Sequence, residues 1–287
     1  MTPPPLSWTQ PPQARGQTLQ DAVREHLRLS NRQAKARIDA RDVFVNGKRV
    51  WMARHVLDPG DKIEVLQRAE TEAVREELKL LYRDAWLLAV NKPPGLLSDG
   101  GTDSVEARLR AQESLPEPRA LHRLDRDTSG VLLLNGREQD RVPYVELFRQ
   151  HQLQKRYLAV VRGVPESARF EINSRLDGKE ALTRVQVLTR HRAYALLACE
   201  IPTGRTHQIR RHLARRQLFI AGDRAYGAGE SPPAVERGVP RQLLHAWKLE
   251  FPCPHTQKLI RITAPPPPDF SEWSRKLGLQ LPQENLG

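Results

Sequence analysis

The apolar run Val131-Leu132-Leu133-Leu134 directly follows a polar loop, Leu121-His122-Arg123-Leu124-Asp125-Arg126-Asp127-Thr128-Ser129-Gly130. The run reads as a buried strand. The loop therefore brings two carboxylates, two arginines and a histidine to the start of a core element. A carboxylate beside guanidinium groups is favoured in its ionised form, and an ionised carboxylate can serve as a nucleophile or a base. Chemistry alone does not choose between Asp125 and Asp127, and a structural Arg–Asp pair at a turn would use the same residues.

Two further segments carry chemistry. In Thr203-Gly204-Arg205-Thr206-His207-Gln208-Ile209-Arg210-Arg211-His212-Leu213, basic residues occur with no acid among them. Ile209 and Leu213, four apart after the Gly204 turn, predict a helix pinned to a core with some arginines outside. Unaided, this reads as a phosphate-binding helix or a solvated basic face. Lys155-Arg156-Tyr157-Leu158-Ala159-Val160-Val161-Arg162-Gly163 alternates across Tyr157, Ala159 and Val161 as a strand does.

The surrounding chain divides into a small unit, 16–67, a charged connector, 68–79, a large mostly β domain, 80–275, and a C-terminal tail, 276–287. The first dozen residues and Pro265 to Pro268 are proline-rich and predicted to be irregular. In the small unit Thr18 with Asp21 signals a helix start, and Leu19, Val23 and Leu27 share one helix face. Ser30 with Gln33 is a second capping pattern. Val43-Phe44-Val45 then meets Asn46-Gly47, a hairpin signal, and Ile63 and Val65 alternate after the Asp58-Pro59-Gly60-Asp61 turn. From Arg28 to Arg54, eight basic residues, among them Arg32, Lys35, Arg37 and Lys48, face only Asp39 and Asp42. Phosphate-backbone contact is the functional reading.

Several function classes recede. The net charge of +12 on 287 residues is a field that attracts polyanions, chiefly nucleic acid. No apolar run reaches the roughly 18–20 residues of a membrane span, and Met1-Thr2-Pro3-Pro4-Pro5 does not resemble a secretion signal. A cytoplasmic protein is expected, acting as a monomer. The two cysteines, Cys199 and Cys253, suggest a reduced compartment, and no metal is expected because no finger-like Cys/His set is completed. A Gly-x-Ser-x-Gly elbow, a P-loop and a dinucleotide fingerprint are all lacking.

These segments together resemble the RluA-type RNA pseudouridine synthases. The similarity runs through Leu88-Ala89-Val90-Asn91-Lys92-Pro93-Pro94-Gly95-Leu96, the Asp125 loop, Lys155–Gly163, Ala181-Leu182-Thr183, Gly204–Leu213, Gly222-Asp223-Arg224-Ala225-Tyr226-Gly227 and Leu244-His245-Ala246. The small unit resembles the alpha-L RNA-binding domain of ribosomal proteins. The resemblance implies an α+β architecture, with a mixed, largely antiparallel sheet beside a small basic α/β domain.

The resemblance also implies roles. It selects Asp125 as the nucleophile that isomerises uridine to pseudouridine in structured RNA, with ribosomal RNA favoured over transfer RNA. Arg210 would pair with Asp125, Tyr157 would stack on the target base, and Ile209 would line the pocket. Arg123 would wedge into the RNA, with Arg205 and His207 as further contacts. An isomerisation needs no cofactor. Two stretches depart from the family pattern, Leu218-Phe219-Ile220-Ala221 and Phe251-Pro252-Cys253-Pro254-His255, and neither touches the catalytic trio. The alternative is a non-catalytic RNA-binding or ribosome-assembly protein, which would not require Asp125, Tyr157 and Arg210 together.

Overall fold

The computed structural model describes residues 5–39, 42–50, 52–66, 77–101, 103–115, 117–227 and 233–282. It falls into two compact units, Met1–Glu76 and Glu77–Gly287. Most of the charged connector 68–79 lies outside the described residues, which omit 67–76.

The first unit begins earlier than its sequence suggests. Leu6–Thr9, in the stretch expected to be irregular, is a strand (β1). Helix α1 (Leu19–His26) starts where Thr18 accepts the backbone N–H of Asp21 at 3.2 Å. Helix α2 (Asn31–Asp39) opens on a reciprocal capping box. Ser30 N–H donates to Gln33 Oε1 at 2.9 Å, and Gln33 N–H donates to Ser30 Oγ at 3.3 Å. Strands β2 (Val43–Val45) and β3 (Lys48–Arg49) flank Asn46 and Gly47, both with positive φ as a tight hairpin turn requires. Strand β4 (Lys62–Val65) pairs with β2 and with β1, completing a four-stranded sheet. Leu19, Val23, Ala34, Ile38, Val43, Val45, Ile63 and Val65 form its buried core. Trp8 of β1 packs on that core, which explains why the strand forms despite its proline-rich flanks.

The second unit opens with β5 (Leu80–Arg83), β6 (Leu87–Lys92), helix α3 (Val105–Glu113), β7 (Arg119–Ala120) and β8 (Ser129–Asn135). Next come α4 (Arg141–Arg149), β9 (Gln154–Arg162), β10 (Arg169–Asn173), β11 (Leu182–His191) and β12 (Tyr194–Glu200). The chain finishes with α5 (Gln208–Arg215), β13 (Phe219–Ile220), β14 (Leu244–Pro252), β15 (Leu259–Thr263) and α6 (Pro268–Lys276). Eleven strands make one sheet, whose main path runs β10-β11-β12-β9-β14-β8-β6-β5. Among the described residues all its pairings are antiparallel except β14 with β8.

That parallel contact joins the two halves of the sheet and explains one glycine. Gly130 pairs with Ala246 at φ +115°, and a Cβ there would stand 2.1 Å from the Ala246 carbonyl oxygen. Only glycine allows the backbones this close.

Period-two alternation sends the side chains of β8 to opposite faces. Leu132 and Leu134 join a core with Tyr157, Ala159, Val161, Ile209 and Leu213, so α5 is pinned to that face as its spacing predicts. Val131 and Leu133 join Tyr144, Leu147 and Phe251 on the other. Leu158, Val160, Phe270, Leu277 and Leu279 form a further cluster. Residues 277 and 279 were expected in a tail, yet they are buried, because the amphipathic α6 carries the chain back over the sheet. Pro268, expected to be irregular, begins that helix, where its missing N–H costs nothing.

Candidate active site

Asp125 lies between β7 and β8, four residues ahead of a strand buried along its whole length. Its loop is tied down almost residue by residue. Ser98 Oγ accepts Leu124 N–H at 3.0 Å and donates to Leu124 O at 3.1 Å. Thr128 N–H donates to Asp125 O at 3.0 Å. Arg126 O accepts from Lys92 Nζ at 2.8 Å and from Gly95 N–H at 2.9 Å, while Arg126 Nε donates to Gly95 O at 2.9 Å. Asp127 O accepts from Arg241 Nη1 at 2.9 Å. A carboxylate on such a loop needs little reorganisation before it can act.

Lys92 is the hub of that support. It is fully buried and also donates to Pro93 O at 2.9 Å and Leu96 O at 2.7 Å. Burial pushes its ammonium down to about 7, against the pull of Asp127 and Asp125 and helped by the repulsion of Arg241. Three carbonyl acceptors nonetheless use all three protons of an ammonium, whereas a neutral amine would leave one acceptor without a donor.

Opposite the loop, α5 supplies Arg210. Its first turn is fixed by buried Gln208, whose Oε1 accepts from Arg205 N–H at 3.0 Å and from Thr203 Oγ1 at 2.8 Å. Gln208 Nε2 donates to Leu182 O at 2.8 Å. Arg210 Nη1 then donates to Asp125 Oδ2 at 2.9 Å. Its other edge makes a two-pronged contact with Asp223, Nε to Oδ2 at 2.7 Å and Nη2 to Oδ1 at 2.9 Å. Burial alone would raise Asp223, but the Arg210 bonds and charge, with the N–H groups of Ala225 and Tyr226, hold it below the usual carboxylate range. Burial likewise opposes the charge on Arg210, and Asp223 and then Asp125 more than compensate, so its guanidinium is pushed up. Arg210 also lies over the Tyr226 ring, 5.0 Å from its centroid.

The remaining residues surround this pair. His207 Nε2 is 3.7 Å from Asp125 Oδ1, and its Nδ1 is 2.9 Å from the Tyr226 hydroxyl. Tyr157 is buried, and burial together with the Asp125 charge pushes its phenol up, so it stays neutral. Ile209 is buried beneath. Arg123 is exposed, with Nε 3.3 Å from Asp99 Oδ1, and Arg205 donates to Glu180 O at 3.1 Å. Asp125, Tyr157, Ile209, Arg210, His207, Arg205 and Arg123 all line one open cleft of about 1100 Å³.

Of the two loop carboxylates, Asp125 is the one bonded to Arg210. Arg211, Arg215 and Arg216, by contrast, face outward, and Arg211 pairs with Asp177. In the first unit Lys35 and Lys48 are exposed and Arg37 is half-buried, while the Arg32 side chain lies outside the described residues.

Sequence reasoning assigned no role to Lys92, Asp223 or Tyr226. All three stand in segments that carry the family resemblance, so the signal was their place in Asn91–Gly95 and Gly222–Gly227. Nothing in the pattern said that Asp223 shares Arg210 with Asp125.

Residues 86–215 match the family model for RNA pseudouridylate synthase. The ribosomal large subunit pseudouridine synthase D of Xylella fastidiosa is 33% identical over 265 residues, covering 81% of this chain and 76% of that protein. The ribosomal large subunit pseudouridine synthase C of Escherichia coli is 34% identical over 259 residues, covering 78% and 81%. Among solved structures, human RNA pseudouridylate synthase domain containing 4 aligns with a TM-score of 0.61 at 25% identity, covering 71% of this chain and 95% of that one.

Proposed function

Because this chain belongs to the RluA-type RNA pseudouridine synthase family, we propose that Asp125 is its nucleophile and large-subunit ribosomal RNA its substrate. The substrate reading rests on the relatives, which are named for that RNA. The role of Asp125 rests on one observation above the others. Its carboxylate faces a cleft, 2.9 Å from a buried arginine, on a loop held by Lys92, Ser98 and Arg241.

In this reading the target uridine leaves its stack to reach a carboxylate recessed in the cleft. Asp125 attacks either ribose C1′ or the uracil ring. The N1–C1′ bond breaks, the base turns, and a C5–C1′ bond forms as C5 loses its proton and N1 gains one. Substrate and product are isomers, so neither an oxidant nor a nucleotide is consumed. Arg210 keeps the nucleophile oriented, and neutral Tyr157 provides the aromatic face on which a flipped base stacks. Ile209 closes the apolar side, exposed Arg123 fills the gap the base leaves, and Arg205 and His207 contact the flanking RNA. The basic first unit, with Arg32, Lys35, Arg37 and Lys48, adds phosphate contacts. The enzyme works in the cytoplasm as a monomer, and among the described residues no helix is long and apolar enough to cross a membrane.

The test is a pseudouridine map of total RNA from a strain lacking the gene, complemented with wild type or Asp125→Ala. A ribosomal site that disappears and returns only with wild type supports the reaction, substrate and nucleophile together. Restoration by Asp125→Ala would remove Asp125 from the mechanism.

A further inference from the structure

The cleft is larger than its chemistry needs. Pockets that enclose one drug-sized ligand run from roughly 300 to 1000 Å³, and this one, at about 1100 Å³, extends from Asp125 past Lys155 to helix α4. Arg141, Val145, Phe148 and Arg149 of α4 line it, together with His151 just beyond the helix. Arg141, Val145 and Arg149 are spaced by four and share one stripe, while Tyr144 and Leu147 bury the opposite face of α4 in the core.

That stripe has an unusual makeup for a solvated helix face. Val145 is 40% exposed between two arginines, and the neighbouring Val142 is 73% exposed. Half-buried Phe148 packs against His122, with ring centroids 5.1 Å apart. Lys155 joins this end of the cleft to the other. On β9 it stands two residues before Tyr157, about 7 Å away on the same strand face. Its Nζ lies 5.9 Å from the centre of the Phe148 ring and donates to Thr203 O at 3.3 Å.

We propose that this end of the cleft is a second nucleotide subsite, which holds the residue adjacent to the target in the same RNA strand. The base lies on the apolar edge formed by Val145 and Phe148, and the phosphate lies towards Lys155 and Arg141. An apolar or aromatic edge beside fixed cations is the usual way a protein holds an unstacked base and its backbone. The cations fit a polyanion, and continuity with the Asp125 pocket means that one strand can fill both. Arg149 is more fully engaged, since Glu146 holds it with bonds of 2.6 and 2.7 Å, whereas Arg141 makes a looser, 3.7 Å contact with Glu138. The subsite rests on the reading of the Asp125 end as the target pocket.

The test needs no turnover. A fluorescein-labelled oligouridylate is bound to the full-length protein and displaced by 5′-uridylate, by UpU and by UpUpU. Affinity should rise by about tenfold or more, at least 1.4 kcal/mol, from the mononucleotide to the dinucleotide. Val145→Glu and Arg141→Glu, both on the helix surface, should each reduce that step and leave 5′-uridylate binding unchanged. A dinucleotide that binds no tighter than the mononucleotide, or a step that survives both substitutions, overturns the subsite. Tritium release from RNA labelled at uridine C5 reports the isomerisation separately. Lack of release with the step intact counts against the reaction and not against the subsite.

Discussion

Asp223→Asn tests whether the Arg210 bridge is built as the structure indicates, because Asp223 and Asp125 share one guanidinium and differ in burial. The Asp223 side chain is 1% exposed and that of Asp125 is 27% exposed, against 8% for Arg210. An asparagine at 223 can still accept the N–H groups of Ala225 and Tyr226, but its amide nitrogen must face one of the two Arg210 donors. One charge-assisted bond is lost, worth about 1.5–3 kcal/mol, and the buried arginine keeps only its partly exposed partner. Breaking a buried pair costs about 3–5 kcal/mol, so a loss near 3 kcal/mol is expected. For a unit of this size that is about 6–12 °C in Tm. Asp125→Asn can keep its one Arg210 bond through the amide oxygen, loses only the charge at a partly solvated site, and should cost about 1 kcal/mol.

Activity should rank the other way. Asp125→Asn should abolish pseudouridine formation, whereas Asp223→Asn should leave the proposed nucleophile in place but loosely aimed, a fault worth up to about 100-fold in rate. Thermal unfolding and single-turnover tritium release on labelled RNA measure both. Equal Tm losses in the two variants, or wild-type turnover by Asp223→Asn, would refute the argument.

Three other perturbations probe the framework. Lys92→Met strands three carbonyls at about 1–3 kcal/mol each, partly offset by relief of the buried ammonium. Amide exchange from Leu124 to Thr128 should quicken about tenfold, and unchanged exchange would mean that Ser98 and Arg241 hold the loop unaided. Gly130→Ala drives a Cβ against the Ala246 carbonyl and should cost more than about 4 kcal/mol, read as lost soluble yield or Tm; a wild-type Tm would contradict the close approach. His245 is buried, accepting from Ser129 Oγ and donating to Ala264 O, and burial pushes it down to about 4 against 6.5 for an exposed histidine. The unfolded chain therefore binds the extra proton between those values. Its stability contribution is complete above pH 6.5 and is lost as pH falls, by about 2 kcal/mol at pH 5. Urea titrations at pH 7 and 5 should show a smaller difference for His245→Gln, and an equal difference would place the acid sensitivity elsewhere.

Local patterns were enough to determine much of this protein. The Thr18 and Ser30 caps, the Asn46-Gly47 turn, the buried strand at 131–134 and the helix through Ile209 and Leu213 are all encoded within a few residues, where steric and hydrogen-bonding preferences act directly. The family motifs likewise named Asp125, Tyr157 and Arg210, which the fold gathers into one cleft. What local pattern could not reveal depends on contacts between distant segments. Leu6–Thr9 becomes a strand because β4 offers it an edge, and residues 277 and 279 are buried because α6 returns to the sheet. Of the two loop carboxylates, Asp125 is the one bonded to Arg210, 85 residues away along the chain, and Arg210 is itself braced by Asp223. A guanidinium can bridge two carboxylates only after folding has desolvated it between them, and no spacing along the chain records that.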